Sequence, residues 1–308
     1  HTPTMVSSSA ASDVYKRQRE TDALAAGNLV DRVHAVCLSG GSAFGLATAD
    51  GVMAELERRH LGVPVGPDPE QVVPVVPTAV IFDLAPNRGR PGPREGAEAC
   101  ETASVAPVRQ GRVGAGAGAT VGKILGPEQA VPGGVGSIAR RIGDHWIGAL
   151  AVVNALGDVI GTDGSILAGA RTREGDFLGT DAFLARGDGQ GSPFDGVATD
   201  PEGGSSGPRP GTNTTLVVVG TDLGLTRIEL GRLARLASGA FPRAISPVNT
   251  PYDGDILFAL SSGKPPAQIT PIQLLSLGVH AREVSEEAIR RAVVEPSREP
   301  VPEEQPIP

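Results

Sequence analysis

Aromatic side chains are scarce in this 308-residue chain, 3% in all, with one Trp and two Tyr. Any core must therefore be built from Val, Leu, Ile and Ala. Positive charge is in deficit: 27 Lys and Arg stand against 35 Asp and Glu, a net charge of −8. No basic stripe offsets that balance, which argues against nucleic acid as a partner. Gly, Pro or charge breaks every apolar run well short of ~18 residues, so no membrane-spanning helix is expected. Only two cysteines occur, Cys37 and Cys100. They form no metal-ligand pattern and read as ordinary thiols of a reducing cytoplasm, a disulfide between them being the alternative. Glycine (42) and proline (27) are abundant, which calls for many tight turns. With 40% hydrophobic residues, the chain can bury a sizeable core, in one large domain or two modest ones.

The first residues need separate treatment. The chain starts with His1 rather than Met. The run Ser8-Ser9-Ala10-Ala11-Ser12-Asp13-Val14-Tyr15-Lys16-Arg17-Gln18 back-translates, with suitable codons, to a common transposase sequencing adapter. Residues 1–18 are read as an assembly artefact, set aside from fold reasoning. The expectation is that native N-terminal sequence is missing.

From Arg19 onward the pattern is ordinary. Val33 to Leu38 reads as a short buried strand, followed by the turn Ser39-Gly40-Gly41-Ser42. Ala43 to Arg59 reads as a helix, with Phe44, Ala47, Met53 and Leu56 on its apolar side. Ala79 to Phe82 is another strand. Ile147 to Asn154 is an apolar strand ending on a polar residue, with Gly157-Asp158 as a turn and Val159-Ile160 as the return strand. From about Ala170 to Thr212, Asp, Gly, Ser and Pro dominate, which predicts a long exposed loop. It stops at Asn213-Thr214, where a β-branched strand runs to Val219. Thr226 to Ser238 predicts a helix with Ile228, Leu230, Leu233 and Leu236 inward. Asp255 to Leu260 is a strand. Pro271 to Val294 is a long helix with a possible break near Gly278. The Pro/Glu-rich tail 296–308 reads as disordered. Strands and helices mix without strict alternation, which predicts α+β layers rather than a doubly wound sheet.

Four segments carry possible chemistry. Ser39 to Gly45 lies between a strand and a helix, so it is either an anion-binding turn or a tight connection. Gly116 to Lys123 invites a phosphate-loop reading but fails it: Ala117 stands where glycine is required, and Ile124 follows the lysine. Lys123 is left as a lone cation in a Gly/Ala stretch, pointing into a site or to solvent. Asp253-Gly254-Asp255 places two carboxylates around a glycine. They suit an orienting pair or a plain turn; calcium would need more oxygen ligands and an EF-hand loop. Asn213-Thr214 stands where a polar loop runs into a strand, a common arrangement with no chemistry of its own.

Together these segments resemble the DmpA-type aminopeptidase family, which includes hydrolases of nylon (6-aminohexanoate) oligomers. The resemblance rests on Val33 to Leu46, Gly114 to Lys123, Ala149 to Asn154, Gly211 to Val219, and Asp253 to Asp255 with Phe258-Ala259-Leu260. It implies a four-layer α/β/β/α sandwich of the type shared with ornithine acetyltransferases. It implies self-cleavage between Asn213 and Thr214, leaving a large chain (19–213) and a small chain (214–295) in one domain. It further implies a homo-oligomer of such heterodimers, commonly a tetramer, acting on short peptides or amide oligomers without cofactor or metal. Two departures stand out: relatives carry strands ahead of Arg19, and the position of Asn249 is more often His.

The resemblance also assigns roles. Thr214 is the nucleophile, and its freed α-amine, with a reference pKa of ~7.7–8.0, is the base. Asn154 donates to the oxyanion. Lys123 polarises groups near Thr214, Asp253 and Asp255 orient Thr214 and Lys123, and Ser42 and Phe44 line the substrate pocket. An acyltransferase of the ornithine acetyltransferase type and an inactive relative are the competing expectations.

Overall fold

The computed structural model describes residues 4–9, 18–24, 32–68, 70–85, 89–187, 212–264 and 269–294. The expected disordered tail and residues 188–211 of the expected loop lie outside them. Its centre is a mixed five-stranded sheet, in the order Thr4–Ser9, Ile256–Ser261, Thr214–Thr221, His145–Asn154, Gly134–Ile142. The middle strands are apolar on both sides because both faces are covered. Ala149, Ala151, Val153, Val217, Val219, Leu257 and Ala259 pack with Leu230, Leu233, Leu277, Ala281 and Val284, which belong to the helices Arg227–Ala237 and Pro271–Arg291. The alternate residues Val152, Leu216, Ile256 and Phe258 meet Val75, Ala79 and Ile81.

That second contact brings in a three-stranded sheet of Gln18–Arg19, Thr78–Val80 and Cys37–Ser39. Beyond it, the helix Thr48–Arg58 places Ala49, Val52 and Leu56 against Val76, Ala35 and both cysteines. The thiols are free, and burial pushes both above the usual range. The architecture is α+β, as the mixed pattern predicted.

Register explains how distant residues converge. Thr214–Thr221 runs antiparallel to His145–Asn154, with Thr214 opposite Asn154. It runs parallel to Ile256–Ser261, with Leu216 opposite Ile256. The end of one strand and the starts of two others therefore meet at one rim of the sheet. Thr214 shares parity with Leu216, and Asn154 with Val152, so both point toward the smaller sheet.

Several sequence expectations need correction. The strand expected at 33–38 is confined to Cys37–Ser39. The first helix opens with a 3-10 segment, Ser42–Ala47, and Phe44 is 54% exposed rather than on a buried face. Val159-Ile160 does not return along 147–154; it belongs to Asp158–Ile160, which pairs with Ile166–Ala168 and Ile245–Ser246. Ala170 onward is not all loop, since Thr180–Arg186 is helical. Leu230 and Leu233 are buried as expected, but Ile228 and Leu236 are 66% and 37% exposed. Pro271–Arg291 is one continuous helix. Its Gly278 is a contact point: a Cβ there would lie 2.3 Å from Leu236 Cδ1. Thr4–Ser9, set aside as adapter-derived, pairs antiparallel with Ile256–Ser261. Such edge pairing uses only main-chain groups, which a serine-rich strand supplies as well as any other.

Candidate active site

Asn154 is fully buried and has its hydrogen-bonding capacity filled. Its Oδ1 accepts from Thr120 N at 3.1 Å and from Lys123 Nζ at 2.8 Å. Its Nδ2 donates to Phe82 O and to Thr212 O, each at 3.2 Å. Lys123 follows the short strand Thr120–Val121 and is anchored by its own N–H on Leu156 O, 3.0 Å away. Its Nζ also donates to Asn154 O at 2.9 Å and Thr212 O at 3.2 Å. Of the two expectations for Lys123, it points into the site and not to solvent. Desolvation lowers its pKa to about 7, against the opposing pull of Asp253, Asp255 and Asp83.

Thr214 is buried, and its Oγ1 lies 2.6 Å from Asn213 O, the carbonyl of its own preceding peptide bond. That carbonyl also accepts from Gly254 N at 2.9 Å. Asp253 Oδ2 accepts from Thr250 N at 2.8 Å, and Asp255 Oδ1 accepts from Thr215 N. Burial raises both carboxyl pKa values, that of Asp255 more strongly because it is the more deeply buried and Asp253 adds its charge; Lys123 works against both shifts.

Thr214, Asn213, Lys123, Asn154, Asp253 and Asp255 thus stand in one connected cluster. Ser42 and Phe44 belong to a neighbouring unit. Ser42 is buried with φ +56° and its N–H on Ile81 O at 2.9 Å. Phe44 lies under the Arg90 guanidinium, 3.9 Å from the ring centre. The Gly40-Gly41 turn is a tight connection whose Gly41 N–H is taken by Asp83 Oδ1 at 2.6 Å, so it is not an open anion site. Asp83 escaped the sequence reading. It joins the turn to the cluster, because its charge reaches Lys123. Its one signal was position, directly after the apolar run Val80-Ile81-Phe82. Among the described residues, no group of three or more His, Cys, Asp or Glu could hold a metal ion, and no helix is long and apolar enough to cross a membrane.

The arrangement of sheets and helices around this cluster resembles that of solved structures. The L-aminopeptidase D-Ala-esterase/amidase of Ochrobactrum anthropi, described as a variant of the Ntn hydrolase fold, superposes with TM-score 0.59 at 20% identity. The match covers 94% of this chain and 72% of that one. The chain has that fold.

The sequence profile of peptidase family S58 matches residues 3–303, and the chain belongs to that family, the one its motifs resemble. An uncharacterized aminopeptidase of Mycobacterium bovis is 39% identical over 254 residues, 80% of this chain; the match spans 66% of the mycobacterial protein, just under two thirds of its length. A 6-aminohexanoate-oligomer endohydrolase of an Agromyces strain is 30% identical over 275 residues, 84% of this chain and 71% of its own length.

Proposed function

We propose that this chain is an amide hydrolase that cleaves itself between Asn213 and Thr214 and then uses Thr214 as an N-terminal nucleophile. One observation carries the reading: the Thr214 hydroxyl lies 2.6 Å from the carbonyl oxygen of the bond to be cut. The proposed self-cleavage is an N→O acyl shift. Thr214 Oγ bonds to the Asn213 carbonyl carbon, the C–N bond to Thr214 breaks, and the hydroxyl proton ends on the departing amine. Water hydrolyses the resulting ester to an Asn213 carboxylate and a restored threonine hydroxyl.

The freed α-amine then serves as base for external amides, at a reference pKa of ~7.7–8.0. The substrate class is short peptides or 6-aminohexanoate oligomers, and family membership together with the named relatives supports it. In the uncut chain, one Asn154 N–H and one Lys123 N–H are held by Thr212 O. Departure of the Thr212–Asn213 end would release both toward a substrate. The stacking of two helices, the large sheet, the small sheet and the outer helix is read as the four-layer sandwich. A cytoplasmic tetramer of cleaved heterodimers completes the proposal, with residues 19–213 and 214–295 as its two chains.

The test is a denaturing gel of folded protein with N-terminal sequencing. Two fragments are expected, the smaller beginning Thr-Thr-Leu-Val, and Thr214→Val should remain one chain without amidase activity. A folded wild-type sample that stays intact on long incubation refutes the reading.

A further inference from the structure

The carbonyl that must become an oxyanion during self-cleavage is Asn213 O. Of the cluster's N–H groups, Gly254 N–H is the one whose hydrogen bond, 2.9 Å long, ends on it. Besides the attacking Thr214 hydroxyl, which donates to Asn213 O at 2.6 Å, the side-chain donors Asn154 and Lys123 point elsewhere. Asn154 Nδ2 is committed to Phe82 O and Thr212 O, and Lys123 Nζ to Asn154 and Thr212 O.

Gly254 is also held firmly from both sides. On one side Asp253 closes a small loop on Thr250: its carboxylate accepts from Thr250 N at 2.8 Å, and its N–H donates to Thr250 O at 3.1 Å. On the other side the Asp255 carboxylate accepts from Thr215 N, the residue after the nucleophile. The backbone between the two aspartates is therefore splinted to the Thr250 loop on one side and to the nucleophile's own strand on the other. The absence of a side chain matters too. A Cβ at 254 would lie 3.1 Å from Thr214 Oγ1 and 3.8 Å from Asn213 O, so it would crowd the attacking oxygen.

We propose that the Gly254 backbone N–H is the oxyanion donor for self-cleavage, with Asp253 and Asp255 acting as positioning residues that aim it at Asn213 O. This rests on the proposed cut between Asn213 and Thr214. As Oγ adds to the carbonyl carbon, the C=O π pair moves onto Asn213 O, and the Gly254 N–H strengthens its hold on the growing charge. A fixed donor in a buried site costs no reorganisation at that moment.

The test follows cleavage of the full chain made by cell-free synthesis, as band conversion on denaturing gels. Gly254→Ala keeps the N–H and adds the Cβ; Gly254→Pro adds a side chain and removes the N–H. The alanine chain should convert at most about tenfold slower than wild type. The proline chain should be slower than it by a further ~100- to 1000-fold, the usual loss for one oxyanion donor. Because proline can disturb the loop, a third chain carries glycolate at 254, which replaces only N–H by O. It should match the proline chain in rate while keeping the wild-type circular dichroism spectrum. Hydroxylamine, which cleaves esters, is used on the proline chain alone, since the glycolate chain carries a backbone ester of its own, and it should not rescue the proline chain, whose ester at Thr214 never forms. A glycolate chain converting within tenfold of wild type overturns the proposal, as does hydroxylamine rescue of the proline chain. A wild-type chain that never converts removes the self-cleavage reading beneath it, which is a different result.

Discussion

Replacing Asn154 by leucine removes the most connected side chain of the site while nearly conserving volume. Four hydrogen bonds disappear, to Thr120 N, Lys123 Nζ, Phe82 O and Thr212 O. At a net ~1 kcal/mol each, the loss is about 4 kcal/mol. The added apolar burial returns at most ~2 kcal/mol. Asn154→Leu should therefore cost about 2–4 kcal/mol. The measurement is urea unfolding with Thr214→Val present in both chains, so that neither is cut. On the Thr214 background the same change separates two activities. Asn154 does not touch Asn213 O, so self-cleavage should slow by no more than about tenfold. Amide hydrolysis, which would use the released Nδ2, should fall by ~100- to 1000-fold. A stability loss below ~1 kcal/mol, or equal loss of both activities, refutes this account of Asn154.

The proposed self-cleavage would precede the existence of the Thr214 α-amine, so its pH profile would isolate the cluster around Lys123. Its rate should rise through about pH 7 and level off above, and Lys123→Arg should abolish that inflection. The sign for stability follows separately. Lys123 is lowered from 10.5 to about 7 in the fold, so between those values the unfolded chain holds more protons and stability rises with pH. Urea midpoints of Thr214→Val at pH 7 and 9 should show this rise, and Lys123→Met should reduce it. Gly136→Ala should destabilise by about 1–3 kcal/mol or more, because its Cβ would meet the Ala288 carbonyl oxygen at 2.0 Å. Gly278→Ala should be milder, within ~1 kcal/mol, because it meets a half-exposed Leu236 side chain and gains helix propensity. Thermal melts of the two variants decide the order.

The site was more legible in the sequence than the scaffold around it. Asn154 and Thr214 stand at the boundaries of apolar runs, which is visible without coordinates, but it was the family resemblance that singled them out. What the sequence could not supply was their register, which depends on pairing between strands 60 residues apart (154 against 214). The edge strand Gly134–Ile142 was missed. Its glycines exist to admit a helix backbone: at Gly136 a Cβ would meet Ala288 O. Such close approach erases the alternation that marks a strand. Gly278 misled for the same reason, being a contact rather than a break. Ile228 and Leu236 fit the helical period, yet periodicity cannot tell which end of an apolar arc the sheet covers. Asp83 was invisible because its partner, Gly41 N–H, is 42 residues away.

In the proposed scheme the uncut chain occupies its own site, and this orders the chemistry. Thr212 O takes one N–H from Lys123 and one from Asn154, the groups expected to serve an external substrate. Processing cannot wait for those donors, since only processing frees them. A separate donor on Asn213 O, the Gly254 N–H, resolves that conflict. It lets the first reaction run while the groups of the second are still engaged. The released end should then behave as a product that fits. A synthetic peptide with the sequence of residues 207–213, ending in Thr-Asn, should compete with amide substrates for the cleaved enzyme. It restores a carbonyl to Lys123 and Asn154 and a carboxylate to Gly254 N–H. Amidation of its C-terminus should weaken inhibition by roughly tenfold or more, since a charge-assisted hydrogen bond is about twice as strong as a neutral one. Steady-state kinetics with both peptides decides it, and a peptide that leaves turnover unchanged at millimolar concentration would show that Thr212 does not sit where substrate binds.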